Sequence, residues 1–149
     1  MIEKLKSIDA VLGPERVQSA FPWKSAIEDG VRLDIGTDWP GAYDGTEIAP
    51  NDPLENIYYA VTRQDLSGSP TGGWHREQAL TVQQAIAAYT INPAFASHEE
   101  KVKGSITEGK LADIVVLSQD ILTARPEELL KTRVLYTVFD GKVVFEGPP

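Results

Sequence analysis

One aspartate and two histidines stand out in this sequence as side chains that could transfer a proton or bind a metal ion. Asp38 follows residues 31–35, in which apolar and charged residues alternate as they do in a β-strand. Parallel α/β folds place catalytic groups just beyond the carboxyl ends of their strands, because the loops there form the crevice. Aspartate is also a common turn residue, so its position alone favours a turn-capping role.

The histidines are weaker candidates, because loop-forming residues surround both of them. His75 lies in Gly72-Gly73-Trp74-His75, and His98 lies in the polar run 97–100. A zinc ion held by Asp38, His75 and His98 is one alternative, since three protein ligands and a water complete a catalytic zinc site. Their spacing gives it no support, and a surface position is favoured for both histidines.

A tryptophan adjoins two of these candidates. Trp39 follows Asp38, and Trp74 precedes His75. Either ring could contact a substrate at the mouth of a pocket, or pack against a neighbouring loop. Trp23 is interpreted as a packing residue, and Arg63 with Asp65 as an exposed ion pair, which would contribute little to stability.

Helices are predicted on both sides of Asp38. The first spans residues 2–12 and ends at Gly13-Pro14, and a second short one spans residues 22–29 with Gly30 at its C′ position. Residues 53–63 form a third, with Asp52 as N-cap. Thr81 and Gln84 form a capping box that begins a fourth, and Asn92-Pro93 separates it from a short helix over 94–98. Polar loops are predicted over residues 41–52 and 65–78.

The last third of the chain is predicted to form mainly β-structure. Short β pieces are predicted at residues 104–106, 108–110 and 112–118, with 113–117 as a buried strand because its apolar run is continuous. A short helix is predicted over 125–131. Residues 134–139 and 143–145 flank Asp140-Gly141, which predicts a hairpin. Asp113 is interpreted as a structural aspartate that helps to set its strand.

Composition excludes several classes of function. The chain has 149 residues, 42% of them hydrophobic, and a formal net charge of −8, which argues against a nucleic-acid partner. It has no cysteine, so thiolate metal sites and a cysteine nucleophile are excluded. The charge balance gives no basic patch for anionic lipid, and no apolar run is long enough to span a bilayer, so no membrane partner and a cytoplasmic location are expected.

Five motifs, in order along the chain, carry a resemblance to one enzyme family. They are Gly36-Thr37-Asp38-Trp39-Pro40, the helix ending in Ala60-Val61-Thr62-Arg63, residues 78–90, residues 103–117 and residues 139–146. Together they resemble the C-terminal portion of metal-dependent amidohydrolases, in the branch similar to N-substituted formamide deformylase. Members of that branch are several times longer than this chain.

The resemblance implies an α/β fold made of the last strand and helices of a (β/α)8 barrel plus the C-terminal part of a β-sandwich. Residues 1–100 would belong to the barrel and residues 101–149 to the sandwich. A barrel strand at residues 31–35 would expose unpaired edges without its neighbours. A homodimer, or association with the missing N-terminal part, is therefore expected.

The resemblance also implies a chemistry. These enzymes hydrolyse amide-type, non-peptide C–N bonds of small molecules with one or two divalent metals, and zinc is the metal expected in the intact enzyme. Asp38 would be a metal ligand and the proton shuttle, with Trp39 and Trp74 as candidate substrate-binding residues. The other metal ligands, including a His-x-His pair, are absent from this sequence. The chain alone is therefore expected to bind no catalytic metal and to be inactive, and a non-catalytic interaction or oligomerisation module is the alternative function.

Overall fold

The structure, a computed structural model of the chain, describes residues 2–39 and 52–148, with side chains from Ile8 onward. The loop predicted over residues 41–52 lies outside the described residues, apart from Asp52. Helices and strands follow in the order α1 Ile2–Arg16, α2 Trp23–Glu28, α3 Pro53–Thr62, α4 Val82–Tyr89, α5 Ile91–Ala96, β1 Ile114–Leu117, α6 Pro126–Leu129, β2 Val134–Phe139 and β3 Lys142–Glu146. Single 3-10 turns lie at Val17–Ser19 and Arg76–Gln78. The result is an α/β fold with one small antiparallel sheet.

Local sequence signals begin and end the helices largely as predicted. The Asp52 side chain accepts a hydrogen bond from the Leu54 N–H at 2.8 Å and so caps α3. Thr81 and Gln84 form the predicted reciprocal capping box at the start of α4. Gly13 breaks α1 with a φ of 75°, as predicted from Gly13-Pro14. The start of α5 was wrongly predicted: α5 begins at Ile91, because Pro93 is tolerated within a first helical turn.

The core lies where α3, α4 and α6 pack together. Leu54, Ile57, Tyr58 and Val61 are buried along one apolar face of α3. The remaining buried members of this cluster come from α3, from α4 and the residues before it, and from the segment around α6: Ala60, Leu80, Ala85, Ile121 and Leu129. Trp23 packs against the cluster, as predicted.

The prediction of a strand at residues 31–35 is wrong. A strand needs a ladder partner, and no strand of the described residues pairs with this stretch. Its polar backbone groups bind helical residues instead: Val31 N donates to Ala26 O at 2.9 Å and Ile35 N to Ala88 O at 3.1 Å, while the Asn92 amide donates to Leu33 O at 3.0 Å. The stretch is therefore tied to α2, α4 and α5.

The sheet has the order β1-β2-β3, and both pairings are antiparallel. Asp140 and Gly141 join β2 to β3 with φ angles of 50° and 72°, so both residues of the predicted two-residue turn are left-handed. Asp113 Oδ1 accepts a hydrogen bond from the Asp140 N–H at 2.9 Å, which agrees with its predicted structural role.

Two predictions about the β region are wrong. β1 is not buried, because Val115 and Val116 are 53% and 41% exposed. Adjacent residues of a strand point to opposite faces of the sheet, so neither face is fully covered at β1. The other outer strand, β3, is exposed along its whole length. Residues 104–106 and 108–110 are turns and irregular backbone rather than β pieces. The Lys110 ammonium holds this loop together by donating to Glu100 O at 2.5 Å, Lys103 O at 3.3 Å and Ser105 Oγ at 2.6 Å.

Candidate functional site

Asp38 is presented to solvent beyond a segment that α4 anchors. Ile35 N donates to Ala88 O at 3.1 Å, and the chain then runs through Gly36 and Thr37 to an exposed Asp38. The φ of Asp38 is 58°, in the left-handed region that aspartate tolerates better than most residues. Among residues 2–39 and 52–148, no side chain or backbone donor binds its carboxylate. The carboxylate is therefore free to take a ligand or a proton from outside these residues.

The two tryptophans proposed to bind substrate occupy different settings. Trp39 is 57% exposed, and its backbone N–H donates to Thr37 Oγ1 at 3.3 Å. Trp74 is half-buried, and its ring lies 4.1 Å from the His75 ring and 6.0 Å from the Phe21 ring between centroids. No contact between Trp39 and Trp74 is found in the described part of the chain.

The fold does not place His75 and His98 in a common cluster with Asp38. The His75 Nδ1 lies 3.1 Å from Glu77 Oε1, and His75 itself has a left-handed φ of 46°. His98 is exposed at the end of α5 with a φ of 61°. Within the described ranges no group of three or more His, Asp or Glu side chains could hold a metal ion. The described donors of this chain therefore do not fit a metal site by themselves, and the zinc site of Asp38, His75 and His98 has no support.

An open apolar groove lies between α1 and Phe21. Its lining consists of Ile8, Val11, Leu12, Ala20 and Phe21. These side chains carry no titratable group, so the groove can bind apolar groups but supplies no acid, base or nucleophile.

The sequence interpretation missed the burial of Arg63. Only 5% of Arg63 is exposed, and its Nε donates to Trp74 O at 3.0 Å. The predicted ion pair with Asp65 is wrong, because the Asp65 carboxylate instead accepts hydrogen bonds from Ser67 and Ser69. These bonds, led by the Ser67 hydroxyl, lower the pKa of Asp65. The aromatic residues Trp23 and Trp74 are the sequence signal that could have indicated a partner for Arg63 other than a carboxylate.

Family comparison decides what kind of protein carries these features. A model of the amidohydrolase family matches residues 3–145. The chain belongs to this family. It is 35% identical over 135 residues to the amidohydrolase YtcJ of Bacillus subtilis, covering 91% of this chain and 24% of that protein. It is also 35% identical over 127 residues to the N-substituted formamide deformylase of Arthrobacter pascens, covering 85% and 21%.

The chain spans about a quarter of the length of these relatives. The chain is also similar to a solved amidohydrolase from Thermotoga maritima, with a TM-score of 0.44 and 19% identity, over 88% of this chain and 36% of that one. The family consists of hydrolases that act on C–N bonds and is generally metal-dependent. Of the helices in the described ranges, none combines the length and apolar character that crossing a bilayer requires.

Proposed function

We propose that this chain contributes Asp38 to a metal-dependent amidohydrolase that cleaves non-peptide, amide-type C–N bonds of small molecules. The observation that carries this proposal is the family match over residues 3–145, within which Asp38 stands in Gly36-Thr37-Asp38-Trp39-Pro40 with an unengaged carboxylate. In such an enzyme a divalent metal, with zinc as the proposed ion, would lower the pKa of a bound water so that hydroxide is available near neutral pH.

Asp38 is suited to hold and move a proton in this setting. Its carboxylate is exposed and is not committed to any donor among the described residues. A general base must reach the proton that it takes, and an exposed side chain beyond an anchored segment can do so. Asp38 would also be a metal ligand, as its motif position suggests.

The isolated chain is proposed to be inactive. Its described residues form no group of donors that could hold a metal, and the sequence has no His-x-His pair. A single carboxylate leaves too few ligands for a catalytic metal, which needs about three from the protein. The remaining ligands would come from polypeptide that this chain does not contain. The cytoplasmic location of the protein stays a prediction.

Trp39 is proposed to contact substrate because it adjoins Asp38 and exposes 57% of its surface. Trp74 remains a weaker candidate, because its ring is already in contact with His75 and Phe21. Residues 1–100 are proposed to belong to a (β/α)8 barrel and residues 101–149 to a β-sandwich.

A non-catalytic interaction or oligomerisation module is the second candidate function, and the exposed sheet favours it. Val115, Val143, Val144 and Phe145 are each at least 48% exposed on β1 and β3. An exposed apolar sheet with open edges favours association. A homodimer, or association with the missing N-terminal part, would cover it, and light scattering that shows only monomer would contradict self-association.

Activity assays test the main proposal. Purified 149-residue chain with added zinc should hydrolyse N-substituted formamides no faster than the buffer does. A longer protein that contains this chain and a His-x-His pair should hydrolyse them, and Asp38→Asn should abolish that activity. Because asparagine also tolerates a positive φ, folding should be preserved. Hydrolysis by the short chain, or wild-type turnover by the variant, would contradict the proposal.

A further inference from the structure

Arg63 is a buried cation placed beside two aromatic rings. Its Cζ lies 4.4 Å from the centroid of Trp23 and 5.1 Å from that of Trp74. Its Nε donates to Trp74 O at 3.0 Å. The rings and the backbone oxygen therefore fix the orientation of a guanidinium that belongs to a residue only 5% exposed.

One terminal nitrogen of this guanidinium, which carries two N–H donors, is left without a partner among the described residues. Arg63 Nη2 is buried and has no hydrogen-bond partner among residues 2–39 and 52–148. Buried donors on a charged group are nearly always satisfied, because an unmet one is costly. The orphaned Nη2 therefore marks a position where an acceptor would be strongly favoured.

The charge of Arg63 is also incompletely neutralised. Burial lowers the pKa of Arg63 to about 10, and the charge of Glu77 offsets only part of that effect. The Glu77 side chain is 63% exposed and its carboxylate already contacts His75 Nδ1 at 3.1 Å. An occupant that brings its own negative charge would therefore satisfy both the orphaned donor and the buried cation.

We propose that Arg63 Nη2 binds the carboxylate of a small organic acid or of an acidic side chain. Hydrogen bonds between an ionised donor and an ionised acceptor are about twice as strong as neutral ones, and guanidinium matches carboxylate geometry. The neighbouring Phe21 ring, 6.2 Å from Trp23 and 6.0 Å from Trp74 between centroids, would border the apolar part of the occupant. Phe21 is 41% exposed whereas Nη2 itself is buried, so the carboxylate would reach Nη2 only after side chains of this cluster have moved. The proposal is independent of the function proposed for Asp38.

Two sources can supply this carboxylate. One is a free monocarboxylate such as acetate, and the other is an aspartate or glutamate of a second copy of this chain. Both sources place a carboxylate against Nη2. Only an acidic side chain of a second copy would make occupancy of the site depend on protein concentration.

Tryptophan fluorescence gives a direct test, because Trp23 and Trp74 both flank Arg63. The chain has three tryptophans, so Trp39→Phe removes the exposed one and leaves the two reporters. Sodium acetate is titrated into this variant, with sodium chloride at matched ionic strength as the control anion. The same titration is made with Arg63→Lys, which keeps a cation but lacks the planar fork, after circular dichroism has shown that it is folded. Light scattering across a range of protein concentrations is the second arm.

A saturable acetate effect that chloride does not reproduce, weakened about tenfold by Arg63→Lys, supports a free carboxylate as occupant. Self-association that acetate or Arg63→Lys reverses supports an acidic side chain of a second copy. If acetate has no effect beyond chloride and association is absent or insensitive to both changes, the proposal is wrong. The comparison of acetate with chloride needs only the Trp39→Phe protein, so the test survives even if Arg63→Lys does not fold.

Discussion

Arg63 and Trp74 bind each other through a reciprocal pair of hydrogen bonds. The backbone N–H of Trp74 donates to Arg63 O at 2.9 Å, and the side-chain Nε of Arg63 donates back to Trp74 O at 3.0 Å. Arg63 is the left-handed C-cap of α3, with a φ of 60°. The pair therefore fastens the loop that precedes α4 to the end of α3.

The close approach of the two segments depends on Gly73. A Cβ on Gly73 would overlap Thr62 O and lie 3.3 Å from Arg63 Cβ, and the φ of Gly73 is 86°. We expect Gly73→Ala to destabilise the chain by about 3 kcal/mol, because it combines left-handed strain with overlap against backbone. Urea unfolding followed by circular dichroism measures the loss.

Gly72→Ala is the matched control for this prediction. Gly72 has nearly the same φ, 85°, but a Cβ there would meet nothing within 4 Å. It should cost only about 1 kcal/mol, the penalty for a left-handed alanine. Equal losses for the two variants would show that the contact with α3 contributes nothing.

Leu129 tests whether the segment around α6 is part of the core. Leu129 has 0% exposure and packs in the cluster formed by α3 and α4. Leu129→Ala should lower the free energy of unfolding by about 3 kcal/mol through lost burial and the cavity left behind. The adjacent Leu130 is 37% exposed, so Leu130→Ala should cost less than about 1 kcal/mol. A smaller loss for Leu129→Ala than for Leu130→Ala in urea titrations would contradict this arrangement.

The features predicted correctly from sequence are those set within a few residues. Asp52 caps α3 through Leu54, and the Asp140-Gly141 turn needs only its own two positive φ angles. Such signals act through bonds between near neighbours, so one sequence is enough to find them.

The features missed depend on partners far away in the chain. Residues 31–35 have the alternation of a strand, but a ladder requires another strand beside them, and the pattern cannot supply it. Arg63 reads as a surface cation until Trp23 is brought against it. Asp38 was singled out by its motif, and the role proposed for it would need further metal ligands, of which the described residues form no group.

The capping box of α4 gives a third prediction. The Gln84 N–H donates to Thr81 Oγ1 at 3.1 Å, and the Thr81 N–H donates to Gln84 Oε1 at 2.9 Å. Thr81→Ala should destabilise the chain by about 1 kcal/mol, because the N–H of Gln84 loses its acceptor. Thr81→Ser keeps the hydroxyl and should unfold at nearly the wild-type urea concentration. If serine were as damaging as alanine, the loss would not come from the cap.

The last prediction concerns acid stability near α6. The hydrogen bond from Arg125, at 2.9 Å from its Nη2 to Glu128 Oε1, holds the pKa of Glu128 below its ordinary value of 4.5. A carboxyl whose pKa is lower in the folded state contributes stability above its unfolded pKa and loses it as pH falls through the folded pKa. Glu128→Gln should therefore lower the urea midpoint at pH 7 more than at pH 3. Glu127→Gln, one residue away and without a hydrogen bond to Arg125, is the control and should show a smaller dependence on pH. A Glu128→Gln deficit that stays constant from pH 7 to pH 3 would mean that the Arg125 pair does not stabilise the fold.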